Sequence, residues 1–285
     1  MRKISGVYDN LAKFMLVCGG LILQSGPVVA APAFGEETWN IKLGGFLSEF
    51  DTQVGVTGPL GGNPRINLED KGLESEQSAF RGQIMWRFAP RHRIILDYYR
   101  FDRTATNTLE GQIEIDDPDD GHIVFDAGIS LDSEFDWKLI PISYAYSFYK
   151  TKDMELSASL GLHWVELSLN LSGVATLNGT PNQFVSESEA ISGPLPVVGI
   201  RGDYAITPRW LVGGHVQYFG LDYDDYSGDL LDIRLQTEYW FTDSIGAGLG
   251  YTWYDIDLTR DLGSSYNMFV NYSYSGLEAY VGLRF

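Results

Sequence analysis

From about Thr38 to the end of the chain, polar and apolar residues alternate with a period of two, the pattern of strands whose faces meet different surroundings. Leu156, Ala158, Leu160, Leu162 and Trp164 share one face, and Glu155, Ser157, Ser159, Gly161 and His163 share the other. Equivalent apolar stripes run through Ile140, Ile142, Tyr144, Tyr146 and Phe148, through Trp210, Val212, Val216 and Tyr218, and through Leu231, Ile233, Leu235 and Tyr239. Two more follow Ala247, Leu249, Tyr251 and Trp253 and the terminal set Leu277, Ala279, Val281, Leu283 and Phe285. Tight polar turns at Ala89-Pro90-Arg91, 150–153, 206–209 and Thr242-Asp243-Ser244 alternate with longer acidic or glycine-rich segments near 58–76, 112–124, 173–193, 222–229 and 259–265. This punctuation predicts ten strands at roughly 38–57, 77–88, 92–112, 124–149, 154–172, 194–205, 210–221, 230–241, 245–258 and 266–285. Both termini then fall on the short-turn side.

Alternation alone leaves open which face points inward, because a soluble barrel has the same period. The apolar stripes decide it: they are too rich in Trp, Tyr and Phe to fit one narrow lumen, whereas the opposite face is largely Gly, Ser, Gln and charge. Trp86, Phe88, Tyr146, Phe148, Tyr204, Trp210, Tyr239 and Phe285 cluster near the short turns, and Trp137, Trp164, Tyr218, Trp253 and Tyr272 toward the loops. Two such girdles, separated by roughly eight to ten tilted residues, match an apolar band of about 25 Å. The expected fold is therefore all-β, a transmembrane antiparallel up-and-down barrel of about ten strands, with eight and twelve the neighbouring even counts.

The 285-residue chain holds 39 aromatics and 32 glycines, which agrees with β structure. Its longest nearly apolar stretch, Phe14 to Leu23, is half the length of a spanning helix. With Arg2, Lys3 and Lys13 before and around that stretch, and small residues after it, residues 1–33 read as a signal peptide. Cleavage after Ala30 or after Ala33 fits equally, leaving a single barrel domain over 34–285. The one cysteine, Cys18, lies within this segment behind Val17, a poor context for lipidation. Removing residues 1–33 leaves 17 bases and 37 acids, a balance of −20, which disfavours nucleic-acid binding.

The terminal strand Tyr280-Val281-Gly282-Leu283-Arg284-Phe285 resembles the C-terminal signal that bacterial outer-membrane barrels present to their insertion machinery, with Tyr280, Leu283 and Phe285 as its key positions. One departure is that the apolar set shifts from Met268, Val270 and Tyr272 to odd positions near Ser275-Gly276, where a glycine bulge is expected. The run Ile66-Asn67-Leu68-Glu69-Asp70-Lys71-Gly72-Leu73, the Arg-His-Arg of 91–93 and Tyr98-Tyr99-Arg100 resemble a group of functionally uncharacterised proteobacterial outer-membrane barrels. The resemblance implies location in the outer membrane of a Gram-negative bacterium, contact with membrane lipid and lipopolysaccharide, a monomer, and no particular activity.

Candidate chemistry is sparse. Outer-membrane phospholipases and deacylases resemble one another in placing His and Ser two residues apart, but here His92, His122, His163 and His215 are followed at that spacing by Ile94, Val124, Val165 and Gln217. His122 beside Asp116, Asp117, Asp119 and Asp120 is the local candidate for protease-like chemistry, and the same four aspartates are a weak divalent-cation candidate. They fail the EF-hand pattern, since Pro118 stands at its third position and Ala127 at its twelfth. His163 with Glu155 or Ser159 is a further acid–base candidate. No cofactor is expected.

Parity assigns the lumen. Inward bases are Arg81, Arg87, Arg93, Arg103, Arg201, Arg234 and Arg284, and inward acids are Asp97, Glu155, Asp203, Asp232, Glu238 and Glu278. Of these, Arg81, Arg87, Arg201 and Arg234 facing Asp97, Asp203, Asp232 and Glu238 are expected to form a charge network that closes a narrow barrel. The reading is a structural or surface protein, or a narrow pore for small solutes, without enzymatic activity. The alternative is a lipid- or peptide-modifying hydrolase whose site assembles across strands.

Overall fold

The computed structural model describes residues 34–57, 66–67, 69, 75–108, 113–117, 121–126, 128–223, 226–263 and 266–285. The signal segment therefore lies outside the described residues. Thirteen strands follow in order: β1 Trp39–Thr57, β2 Ile66–Asn67, β3 Glu76–Ala89, β4 His92–Thr108, β5 Ile113–Asp117, β6 Gly121–Phe125, β7 Ser130–Lys150, β8 Met154–Leu177, β9 Thr180–Thr207, β10 Trp210–Tyr223, β11 Tyr226–Trp240, β12 Ile245–Gly263 and β13 Tyr266–Arg284. Ten long strands bond in sequence, each antiparallel to the next, and β1 pairs with β13 to close the ring. The closure is stitched at its end, where the backbone N–H groups of Thr38 and Trp39 both donate to the Phe285 carbonyl at 2.9 Å.

The short turns fall where the sequence places them, but several expected loops are strands. The segment 173–193 continues β8 and β9 into one hairpin that turns at Asn178-Gly179, both at positive φ (48° and 79°), as a two-residue connection demands. Likewise β10 and β11 leave only residues 224–225 between them, and β12 and β13 only 264–265. The expected strand 124–149 is instead β7 from Ser130, preceded by the small β5–β6 hairpin, whose second strand pairs with the tip of β8.

Outside, the apolar stripes are exposed: Leu160, Leu235, Leu249 and Leu277 each show 61–64% of their surface. A soluble barrel hides such residues, so this wall is built to face hydrocarbon. The aromatic band near the short turns is outward as expected, as are Trp164, Tyr218 and Trp253. Trp137 and Tyr272, expected in the outer girdle, are instead buried in the lumen, their rings stacked at 4.1 Å. The bulge expected at Ser275-Gly276 is also absent, because β13 keeps unbroken register with β1 from Asn267 to Arg284. Tyr272, Tyr274, Glu278 and Tyr280 all point inward. What changes along β13 is the polarity of the lumen, not the phase of the strand.

The interior is narrow enough that large inward side chains lie across glycines of the neighbouring strand. A Cβ on Gly248 would run into the Tyr280 ring, and one on Gly250 into the Glu278 carboxylate. Glycine on the inward face of β12 thus makes room for the two side chains on β13.

Candidate functional site

Parity along ten strands places all thirteen charged residues expected in the lumen there, and Lys42, Glu37 and Glu69 join them. Lys42 hides in the sequence because its face of β1 continues into Phe46 and Phe50, which blurs the polar stripe. Glu37 comes from the turn that enters the barrel, and Glu69 from the segment after β2. The sixteen charges so placed divide evenly, eight basic and eight acidic.

At mid-height Arg81 binds Asp97 and Glu278, each at 2.7 Å, and Arg234 reaches the same carboxylates at 3.3 and 3.5 Å. The Gln83 amide also donates to Asp97 at 2.9 Å. Toward the short turns, Arg93 and Arg201 share Asp203 at 3.1 and 3.0 Å, and Lys42 pairs with Glu238, to which the Tyr280 hydroxyl donates at 3.1 Å. Arg87 grips Glu155 with both terminal nitrogens, at 2.8 and 2.9 Å, and contacts Glu37 at 3.5 Å. The partners differ in detail from the expected set: Asp232 pairs with His215 at 3.2 Å, Glu238 with a lysine, and Arg87 with glutamates. Each buried charge in such an arrangement needs its partner, since an ion left alone carries a desolvation penalty of several kcal/mol.

Above this layer the lumen becomes carbon. Phe46, Phe50, Tyr99, Phe101, Phe135, Trp137, Leu139, Tyr254, Ile256, Tyr272 and Tyr274 belong to one buried cluster, with rings such as Tyr254 and Tyr274 stacked at 5.0 Å. Arg103 crosses its top. Its guanidinium lies 4.4 Å from the Phe50 ring centre, binds Glu69 at 2.6 Å and donates to Thr52 at 2.7 Å. Alternation did not announce this layer, because its residues look like part of an outward stripe.

Spaces of about 50 Å³ beside Lys42, Arg93 and Arg201, and about 20 Å³ beside Asp97, His215 and Asp232, interrupt the filling. They hold a few waters at most. The lumenal acid–base candidate is embedded: His163 is fully buried, its Nε2 3.0 Å from the Gln217 amide oxygen, and it does not pair with Glu155 or Ser159. Asp119 and Asp120 lie outside the described residues, as do the side chains of Asp116, Asp117 and His122; the backbone of Asp116 is paired with that of His122. Among the described residues no cluster of three metal-ligating side chains occurs. In the terminal strand Leu283 and Phe285 face outward, whereas Tyr280 faces the lumen.

No protein-family model matches the sequence, and no curated protein matches it. Among solved structures, the outer membrane protease OmpT of Escherichia coli is similar with a TM-score of 0.52 at 12% identity, over 86% of this chain and 97% of that one. The toluene transporter TbuX of Ralstonia pickettii gives 0.39 at 12% identity, over 90% and 92%. Ail, the attachment invasion locus protein of Yersinia pestis, gives 0.30 at 8% identity, over 84% and 98%. The likeness is one of fold: this chain has the fold of the bacterial outer-membrane β-barrels.

Proposed function

We propose that the protein is an integral barrel of the bacterial outer membrane with a structural or surface role, non-enzymatic, and closed to all but the smallest solutes. The observation that carries this reading is a lumen filled twice over, by paired charges below and by aromatic rings above. The hydrolase alternative needs an acid, a base and a hydroxyl open to substrate; the embedding of His163 and His215 beneath the aromatic layer supports the non-enzymatic reading.

Planar-bilayer conductance tests it. The wild type should show little or no current, and replacing Arg201 and Arg234 by serine should not suffice to open it, because the aromatic layer still blocks the path. Adding Phe46→Ala and Tyr272→Ala to that pair should produce current, biased toward cations by the acidic loop side, more so at low salt. Large anion-selective currents from the unmodified protein would overturn the reading in favour of a specific porin.

A further inference from the structure

The β8–β9 hairpin outruns one of its neighbours. β9 pairs with β10 from Thr207 only as far as Val198, opposite Tyr218. Carried further, that register brings the 224–225 turn level with 191–192, so residues 180–190 stand beyond the β10–β11 tip. On its other flank the hairpin is covered, because β6 pairs with β8 at Ile123–Leu177 and Val124–Thr176. Among the described residues, no strand pairs with the outer side of β9 above Val198. One hydrogen bond tells which backbone groups face that side. The Ala205 N–H donates to the Asp153 carbonyl at 2.8 Å, and register with β8 is unbroken from Met154–Tyr204 up to Ala175–Gln183. Odd-numbered residues of β9 therefore bond to β8, and even-numbered ones turn N–H and C=O to the open side. Pro194 and Pro196 are both even, where a missing N–H costs no bond to β8 and ends the ladder with β10. Above them Ser192, Ala190, Ser188, Ser186 and Phe184 keep their N–H groups, and no proline, lysine or bulge blunts the edge over 184–192.

The edge also stands clear of the lipid. Trp164, in the loop-side girdle, is paired with Pro194. From there to Phe184, at about 3.3 Å per residue and a tilt of about 40°, β9 climbs about 25 Å above the girdle. An open edge of this kind takes an extended peptide as an added strand, main-chain bonds giving affinity and side chains giving choice. Two features describe the peptide. Phe184 shows 74% of its surface, with exposed Val174 opposite, and so offers an apolar neighbour to one side chain of the added strand. The charge is one-sided: 172–192 hold Glu187 and Glu189, β5 and β6 beside them hold Glu114, Asp116 and Asp117, and none of these segments contains Lys or Arg. A second copy would bring the same acids and be repelled, whereas a peptide carrying Lys or Arg is drawn in.

We propose that the open edge of β9 over 184–192 binds an extended, basic segment of a partner protein by strand addition on the loop side of the membrane. The proposal rests on the surface role given above. The probe is a fluorescent twelve-residue peptide alternating lysine with valine, titrated against the mature chain folded in maltoside micelles free of lipopolysaccharide and read by anisotropy. The expected result is saturable binding that weakens as salt rises and is lost when glutamate replaces lysine in the peptide. Ser188→Pro removes one edge-facing N–H without touching the β8 ladder and should weaken binding about tenfold or more, while Ser188→Ala should leave it unchanged. N-methylation of alternate residues of the peptide should cost as much, and does so whether or not the proline variant folds. Unchanged binding of the N-methylated peptide, or in a folded Ser188→Pro variant, overturns the proposal, since the acidic loops would then hold the peptide by charge alone. So does wild-type protein that dimerises through this edge in place of binding the peptide. A chain that never yields a heat-modifiable barrel in vesicles overturns the outer-membrane reading and the edge with it; a folded barrel that ignores the peptide overturns the edge alone.

Discussion

In the half of the lumen nearer the short turns, Arg81, Arg87, Arg93, Arg201 and Arg234 fill space with guanidinium groups held by carboxylates, whereas in the half nearer the loops Phe46, Phe101, Trp137 and Tyr272 fill it with rings. The surroundings run the other way. The charged half lies inside the apolar belt, and the ring-filled half rises to where the outer wall carries Glu49, Asp51, Arg100, Asp102 and Glu166. Surrounded by hydrocarbon, a strand gains nothing by turning apolar groups inward, so the lumen takes the polar ones. Where the wall meets water, the strand has an ordinary core to bury, and the inward face becomes aromatic.

If that contrast is right, the two halves break differently. The largest effect is expected from Arg81→Met, which leaves Asp97 and Glu278 to a single remaining arginine in the belt; breaking a buried pair costs about 3–5 kcal/mol, read by denaturant titration in vesicles. A loss under about 1 kcal/mol would mean that water reaches those carboxylates and that the lower half is not dry. Next comes Leu235→Arg, expected to cost about 2–4 kcal/mol at the lipid face, with Gln236→Arg on the lumen face costing much less. Equal losses at the two neighbours would reverse inside and outside. The smallest effect belongs to the upper half: the Tyr254 hydroxyl is buried without a hydrogen-bond partner among the described residues, so Tyr254→Phe should cost less than about 1 kcal/mol or stabilise. A loss above that would reveal a partner for the hydroxyl, and the upper layer would be wetter than its rings suggest.

Period-two reading gave the strand count, the chain closure and the identity of thirteen lumenal charges, because parity survives wherever register is unbroken. It faltered where parity stayed constant but the medium outside changed. Trp137 and Tyr272 read as outward because lower down the apolar residues face outward, and the change at Ser275-Gly276 reads as a slip of phase although β13 keeps its register through it. The hairpin tips are hard to read from the sequence for a related reason. Ser-, Asn- and Glu-rich stretches such as 180–193 look like loops when strands are sought as apolar stripes, yet β9 runs through them. Glu37 and Glu69 reach the interior from short segments beside the wall strands, and strand parity has no purchase on those.

The β8–β9 hairpin has a consequence for how the barrel is made. Its two strands pair from Leu177–Thr180 down to Met154–Tyr204 through one two-residue turn, whereas β1 and β13 meet only when the ends of the chain do. Loop closure costs least entropy where the ends are already adjacent, and contacts close in sequence form first. The middle of the chain can therefore zip into a long double strand from its tip, and that ribbon offers an edge on each side to β7 and β10. The seam where β1 meets β13 is left as the final join, made where the last residue, Phe285, takes the hydrogen bonds of Thr38 and Trp39.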